Sequence, residues 1–398
     1  MKRITLLFCI CFSLQLKAQT NNQVYLRSSG KLPALAFSTG EDRLGAAKMG
    51  YIDTNILLRI IDSTKDQYTV QLSKYRTAYV DKTFTKPDSS TNTKKALYLS
   101  NSFLAKGDSL FDYVNINLEE KLPYRTWMEL NPARIMVEIF GVQSNTNWVT
   151  QLRSLKEVKN VYYNQTEADV VQITIELVHP QFWGYSIGYK GKALSIKVKR
   201  QPPSLDIRKL KIAIDAGHGG TNAGATGVKL QLVEKEYTLL FAKALQKTLK
   251  KMGVKQIVMT RNNDTSFDNK DRILWLQEQN PDFLISLHLN SSAKADINGV
   301  STYYKHIGYR PLTQTILNRM LDLKLTEFGN IGHFNFALNA PTDFPNCLVE
   351  IAFLSNEEDE KRIAKPLFHN QVAQKIQLGI TDWLKSLSPN LNTRTNRK

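Results

Sequence analysis

The chain changes its hydrophobic rhythm once, near residue 205, and that change limits what it can fold into. Before it, apolar and polar residues alternate in short runs such as Arg134-Ile135-Met136-Val137-Glu138-Ile139-Phe140 and Val171-Gln172-Ile173-Thr174-Ile175-Glu176-Leu177. Alternation at period two marks half-buried strands. The dipeptide Pro202-Pro203 then punctuates the chain. Beyond it, strand-like and helix-like stretches take turns. Strands are expected at 211–215, 256–260, 283–289, 299–304 and 347–353. Helices are expected at 234–252, 270–279, 311–328 and 366–387. This predicts an α/β C-terminal catalytic domain over 208–387, a mostly parallel sheet flanked by helices. Two small all-β modules precede it, at 22–110 and 120–200, with a polar loop over 86–95. In open α/β sheets the chemistry gathers at the carboxyl ends of the strands.

The first residues read as an export signal. Lys2 and Arg3 precede a mostly apolar run from Ile4 to Leu16, and Ala18 offers a cleavage point, so 1–18 is expected to be removed. The run is too short to span a bilayer comfortably, and the mature chain holds no transmembrane segment. Cleavage leaves Cys347 alone, so no intramolecular disulfide is expected. The net charge of +17 falls to +14 without Lys2, Arg3 and Lys17. The excess is diffuse, which suits an anionic polymer or membrane surface better than nucleic acid, although a solvated surface explains it equally well. The tail 388–398 is expected to be disordered.

Four residues carry the chemistry. His218 lies in Asp215-Ala216-Gly217-His218-Gly219-Gly220, directly after a strand, where glycines leave room for a metal and substrate. Glu234 opens a helix, and His288 ends the apolar strand Ser286-Leu287-His288-Leu289-Asn290. Glu350 lies within Leu348-Val349-Glu350-Ile351-Ala352-Phe353, where an acid is costly unless paired or solvated at a site. Two imidazoles and a carboxylate have the identity of a catalytic zinc set with an open fourth position. Each residue also has an ordinary alternative: a helix-start glutamate favoured by the dipole, or a hydrogen-bonded core histidine. Asn290 and Asp215 could orient ligands or simply close turns and strand ends. Arg261 and Arg272 read more readily as structural than as carboxylate binders. Trp148, Trp183, Tyr185 and Tyr189 are either a glycan-binding face or, more commonly, core.

Together the segments DAGHGG, VEKEY, SLHLNSS and LVEIAFLSN resemble the zinc-dependent N-acetylmuramoyl-L-alanine amidases of the Amidase_3 type, over roughly residues 210–385. Thr260-Arg261 with Asp264, Arg272, Gly299-Val300 and Leu354-Ser355-Asn356 extend the likeness. The resemblance implies that His218, Glu234 and His288 hold Zn²⁺ and that Glu350 is the catalytic acid and base. It implies hydrolysis of the amide between N-acetylmuramic acid and L-alanine of peptidoglycan, in wall remodelling or daughter-cell separation. Residues 22–110 resemble a bacterial SH3-like module, and 120–200 the AMIN-like β-sandwich that precedes cell-wall amidases. These modules imply binding to the wall or to envelope or division proteins, without nucleic acid, in a periplasmic, wall-associated enzyme. Two stretches depart from the family pattern, 276–280 and 339–345. The short span between His288 and Gly299 predicts a site with no inhibitory helix over it.

Overall fold

The computed structural model describes residues 23–40, 47–91 and 93–388. The expected leader 1–18 and all of the expected tail except Ser388 lie outside the described residues. Among the described residues, no helix is long and apolar enough to cross a membrane.

The N-terminal half is all β. Strands from Val24–Ser28 to Thr85–Pro87 form one seven-stranded antiparallel sheet. Residues 98–199 form two further sheets. One has four strands, built around Arg134–Phe140 and Val170–Leu177. The other is built around Tyr98–Gly107, Phe111–Leu118 and Ala193–Lys199. Alternation directs Val114, Ile116, Leu194 and Ile196 of one sheet and Ile135, Val137, Ile173 and Ile175 of the other into a shared core. Strand Tyr98–Gly107 falls inside the expected 22–110 module, yet it pairs with the second unit. The sheets therefore divide within 88–97. A period-two pattern reveals that a strand has a buried face, but not which distant strand it joins.

The C-terminal domain is a six-stranded sheet with helices on both faces. Its strand order is Gln256–Met259, Lys211–Ala216, Phe283–Asn290, Asn346–Phe353, Val300–Tyr303, Glu327–Ile331. The first four strands are parallel neighbours, but Val300–Tyr303 runs antiparallel to Asn346–Phe353, so the sheet is mixed. The link 291–299 explains this. A parallel return needs a crossover of about a dozen residues or more, so the chain comes back in the opposite direction. Five α-helices complete the domain: α1 (Glu234–Lys251), α2 (Asn269–Gln279), α3 (Arg310–Leu321), α4 (Glu357–Ile363) and α5 (Pro366–Ser386). The expected helix 311–328 ends early and gives way to strand Glu327–Ile331; α4 was not anticipated. Ile212 and Ile214 pack into the main core with Phe241 of α1 and Ile376 of α5, while Ala213 faces Ile273 and Leu276 of α2.

The sandwich is seated on this domain without a loose linker. Trp183 and Trp383 pack at 5.3 Å between ring centroids, and Trp383 Nε1 donates to Gln181 Oε1 at 3.1 Å. Tyr185 N donates to Thr342 O, and Thr342 Oγ1 returns a bond to Tyr185 O, both at 2.7 Å. Trp183 and Tyr185 are thus core, Tyr189 is bonded to Leu122, and Trp148 alone of that aromatic set is well exposed. Gly184, at φ 115°, has no room for a side chain, since a Cβ would overlap the Asp343 carbonyl. Gly184→Ala is expected to cost about 1–3 kcal/mol, read as a lower urea midpoint. Lys305 lies at the same joint and donates to Lys48 O at 2.8 Å. Burial, aided by the Lys48 charge, pushes its pKa down to about 8. The folded chain therefore releases this proton before the unfolded chain does. Stability should rise between pH 8 and 10.5, and Lys305→Met should remove that component of the rise.

Candidate metal centre

Three chain segments meet at the carboxyl ends of the central strands. The strand Lys211–Ala216 runs into Gly217, whose N–H donates to Leu287 O at 3.0 Å and ties the turn to the neighbouring strand. Gly217 must lack a side chain because a Cβ would overlap the His288 ring. His218 follows in a left-handed conformation, φ 62°, which is uncommon for a residue with a side chain. Its Nδ1 lies 2.9 Å from Asn222 Oδ1, which fixes the ring, and its Nε2 lies 3.0 Å from Glu234 Oε1. His288 Nδ1 is 3.1 Å from the same oxygen. The two rings stand edge to face, 4.9 Å apart.

Glu234 is buried at the first turn of α1, where the helix dipole favours a carboxylate. Backbone N–H groups anchor it: Leu289 N donates to Oε1 at 3.1 Å and Ala225 N to Oε2 at 2.8 Å. Burial would raise its pKa, but hydrogen bonds and charge from both histidines hold it well below the usual carboxylate range. Burial likewise opposes the charge on His218, and the Glu234 carboxylate overcomes it, raising that pKa. The ligand atoms of His218, Glu234 and His288 all lie within 4.8 Å of one another. This donor set, around an ionised carboxylate, fits a borderline-soft divalent cation such as Zn²⁺. Both imidazoles keep partial exposure, 22% for His218 and 17% for His288, toward a groove of about 320 Å³ that includes Thr221, Ser266 and Asn269.

Glu350 is 6% exposed and stands beside His288 in register, on the adjacent parallel strand. Among the described residues Asp215 accepts no hydrogen bond from a histidine ring. It is fully buried and pairs with Arg272 at 2.9 Å, while Thr260 and Ser286 donate to it at 2.7 and 2.6 Å. Asn290 closes a turn onto Ser291 N. Arg272 also donates to His218 O, and Arg261 to Gly217 O and Lys235 O, so both arginines hold backbone. Asn222 was missed at the level of sequence. The available signal was an amide four residues after His218 in a glycine-rich turn. His306 bonds to Ala340 O, away from the cluster, and burial pushes it down to about 4.

With this geometry in view, the C-terminal unit is seen to be similar to the Amidase_3 family. Residues 212–382 match the family model described as N-acetylmuramoyl-L-alanine amidase. A Staphylococcus aureus protein named "Probable cell wall amidase LytH" is 33% identical over 177 residues, spanning 44% of this chain and 57% of that relative. Thus the chain spans little more than half the length of this curated relative. An N-acetylmuramoyl-L-alanine amidase structure from Clostridium difficile 630 aligns at 29% identity and TM-score 0.44, covering 46% of this chain and 100% of that one. The catalytic domain of CwlV from Bacillus (Paenibacillus) polymyxa var. colistinus aligns at 31% identity and TM-score 0.43, covering 45% and 99%.

Arg272→Met is expected to destabilise the domain by about 3–5 kcal/mol, because it leaves the Asp215 carboxylate buried without its counter-charge. Chemical denaturation of the full chain measures this.

Proposed function

We propose that this chain is a zinc-dependent N-acetylmuramoyl-L-alanine amidase that cleaves the bond between N-acetylmuramic acid and L-alanine in peptidoglycan. One observation carries the reading. His218, Glu234 and His288 converge within 4.8 Å at the strand ends of a domain matched by this family. In this reading the three residues are the metal ligands, and Asn222 holds the His218 ring so that Nε2 faces the cluster. Zn²⁺ held by these three residues would supply Lewis acidity for an amide carbonyl and would lower the pKa of a bound water. Glu350 takes the proton from the attacking water and returns it to the departing nitrogen. The strand Asn346–Phe353, buried throughout, keeps that carboxylate fixed beside His288.

The link 291–299 supports an open groove. It contains no helix, and it is pinned where Ser292 N donates to Ser355 Oγ at 2.9 Å and Asn356 Nδ2 to Ala295 O at 2.8 Å. The proposed enzyme therefore works without displacement of a covering helix. The division into an SH3-like unit, an AMIN-like sandwich and the amidase domain belongs to the same proposal. So do export to the periplasm and retention at the wall, or at envelope or division proteins, through the β units.

Mass spectrometry of soluble products from purified peptidoglycan tests the reading. Release of intact stem peptides beginning at L-alanine, abolished by a zinc chelator, is expected; cleavage within the stem would overturn it. Glu350→Ala should retain zinc and lose activity by a factor on the order of a hundred or more. His218→Ala should lose both zinc and turnover. Metal analysis beside the activity assay separates the two roles.

A further inference from the structure

A cleft of about 470 Å³ lies between the seven-stranded sheet and the sandwich, and shares no lining residue with the groove at His218. Its two sides are fixed to each other. On one flank Ser73 Oγ donates to Glu167 at 2.9 Å, Lys74 N donates to Asp169 Oδ2 at 2.6 Å, and Arg76 pairs with Glu138 at 2.7 Å. On the other, Arg27 pairs with Glu120 and Leu57 N donates to Lys121 O, both at 2.9 Å. Between these bridges the two β units leave the space open.

The walls are apolar, including Leu57, Leu72, Tyr98 and Phe140, all part of a core or its margin. Charges of both signs line the same cleft, Asp169 against Arg59, Lys74 and Lys95. Asp169 Oδ1 is buried and has no hydrogen-bond partner among the described residues, although Oδ2 is taken by Lys74 N. A buried acceptor left unmet is uncommon and costly, which marks it as a position for a donor. Arg59 is exposed, and its guanidinium makes no hydrogen bond or ion pair among the described residues. It is flanked in register by Tyr25 and Gln71, which line the cleft with it. Lys95 on the rim is already paired with Glu119 at 3.0 Å.

An occupant that meets all three features carries a cation, an anion and small apolar groups between them. A neutral glycan offers neither charge, and a nucleic acid offers no ammonium. We propose that this cleft binds a short zwitterionic peptide, its α-ammonium on Asp169 and a carboxylate on Arg59. Hydrolysis at a muramoyl–alanine bond releases such peptides, so the source of the ligand rests on the proposed activity while the site itself does not.

Calorimetric titration of the full chain with the tripeptide L-Ala-γ-D-Glu-L-Lys tests this. Its N-acetylated form and chitotetraose serve as comparison probes. Binding is expected to persist in His218→Ala. It should weaken by roughly tenfold or more in Asp169→Asn, in Arg59→Gln and on acetylation, the loss of one charge-assisted bond. Asp169→Asn keeps an acceptor for Lys74 N, and Arg59 is exposed, so folding of the second variant is secure if the first proves unstable. Equal binding of the acetylated peptide overturns the proposal, as does unchanged affinity in Arg59→Gln. Loss of binding in His218→Ala, or binding of chitotetraose alone, also overturns it. A chain that binds the tripeptide in this way but releases no stem peptides would refute the amidase activity and leave the cleft assignment standing.

Discussion

The buried pair of Asp215 with Arg272 is the interaction on which the cluster of His218, Glu234 and His288 depends. Asp215 lies near the end of its strand and accepts from Ser286 on one neighbouring strand and from Thr260 just past the other. One carboxylate thus ties three neighbouring strands together. The Arg272 guanidinium that balances it reaches on to Ala216 O, His218 O and Phe267 O. That reach holds His218 in a left-handed backbone conformation, which costs on the order of 1–3 kcal/mol and persists only where the surroundings over-determine it. Arg261 acts in parallel, joining Gly217 to Lys235 and so fixing the histidine turn against the start of α1.

Buried acids shape the surrounding loops in the same manner. Glu360 is fully buried and accepts from the N–H groups of Lys229, Leu230 and Leu232. Asp359 accepts from Gly299 and Phe353. These carboxylates substitute for secondary structure by satisfying loop donors that would otherwise be stranded. They lie on α4, a helix too short to carry a strong periodic signal.

Much of the centre was legible because its residues sit where the pattern breaks. His218 interrupts glycines after a strand, and His288 and Glu350 interrupt apolar runs, each a local conflict that a site is one way to resolve. The helices α1, α2 and α5 were readable from period and length. Other features depend on distant partners. The strand Glu327–Ile331 has a mixed pattern and takes its place by pairing with Val300–Tyr303. Strand Tyr98–Gly107 gave no sign that it would join the sandwich. Asp215 read as a possible ligand holder because its sequence neighbours include a histidine, whereas its partners in space lie 45, 57 and 71 residues away.

The joint made by Trp183, Gly184 and Trp383 has a consequence for scale. Paired rings and reciprocal backbone bonds join the sandwich to the sheet that carries His288, leaving no slack segment between them. A tethered blade on a soft string would sweep a volume and cut wherever it met a suitable bond. Here the β units and the histidine cluster keep a constant separation and angle, like the two jaws of a caliper. Anything bound by the N-terminal half would meet the histidine cluster only at points one fixed span away.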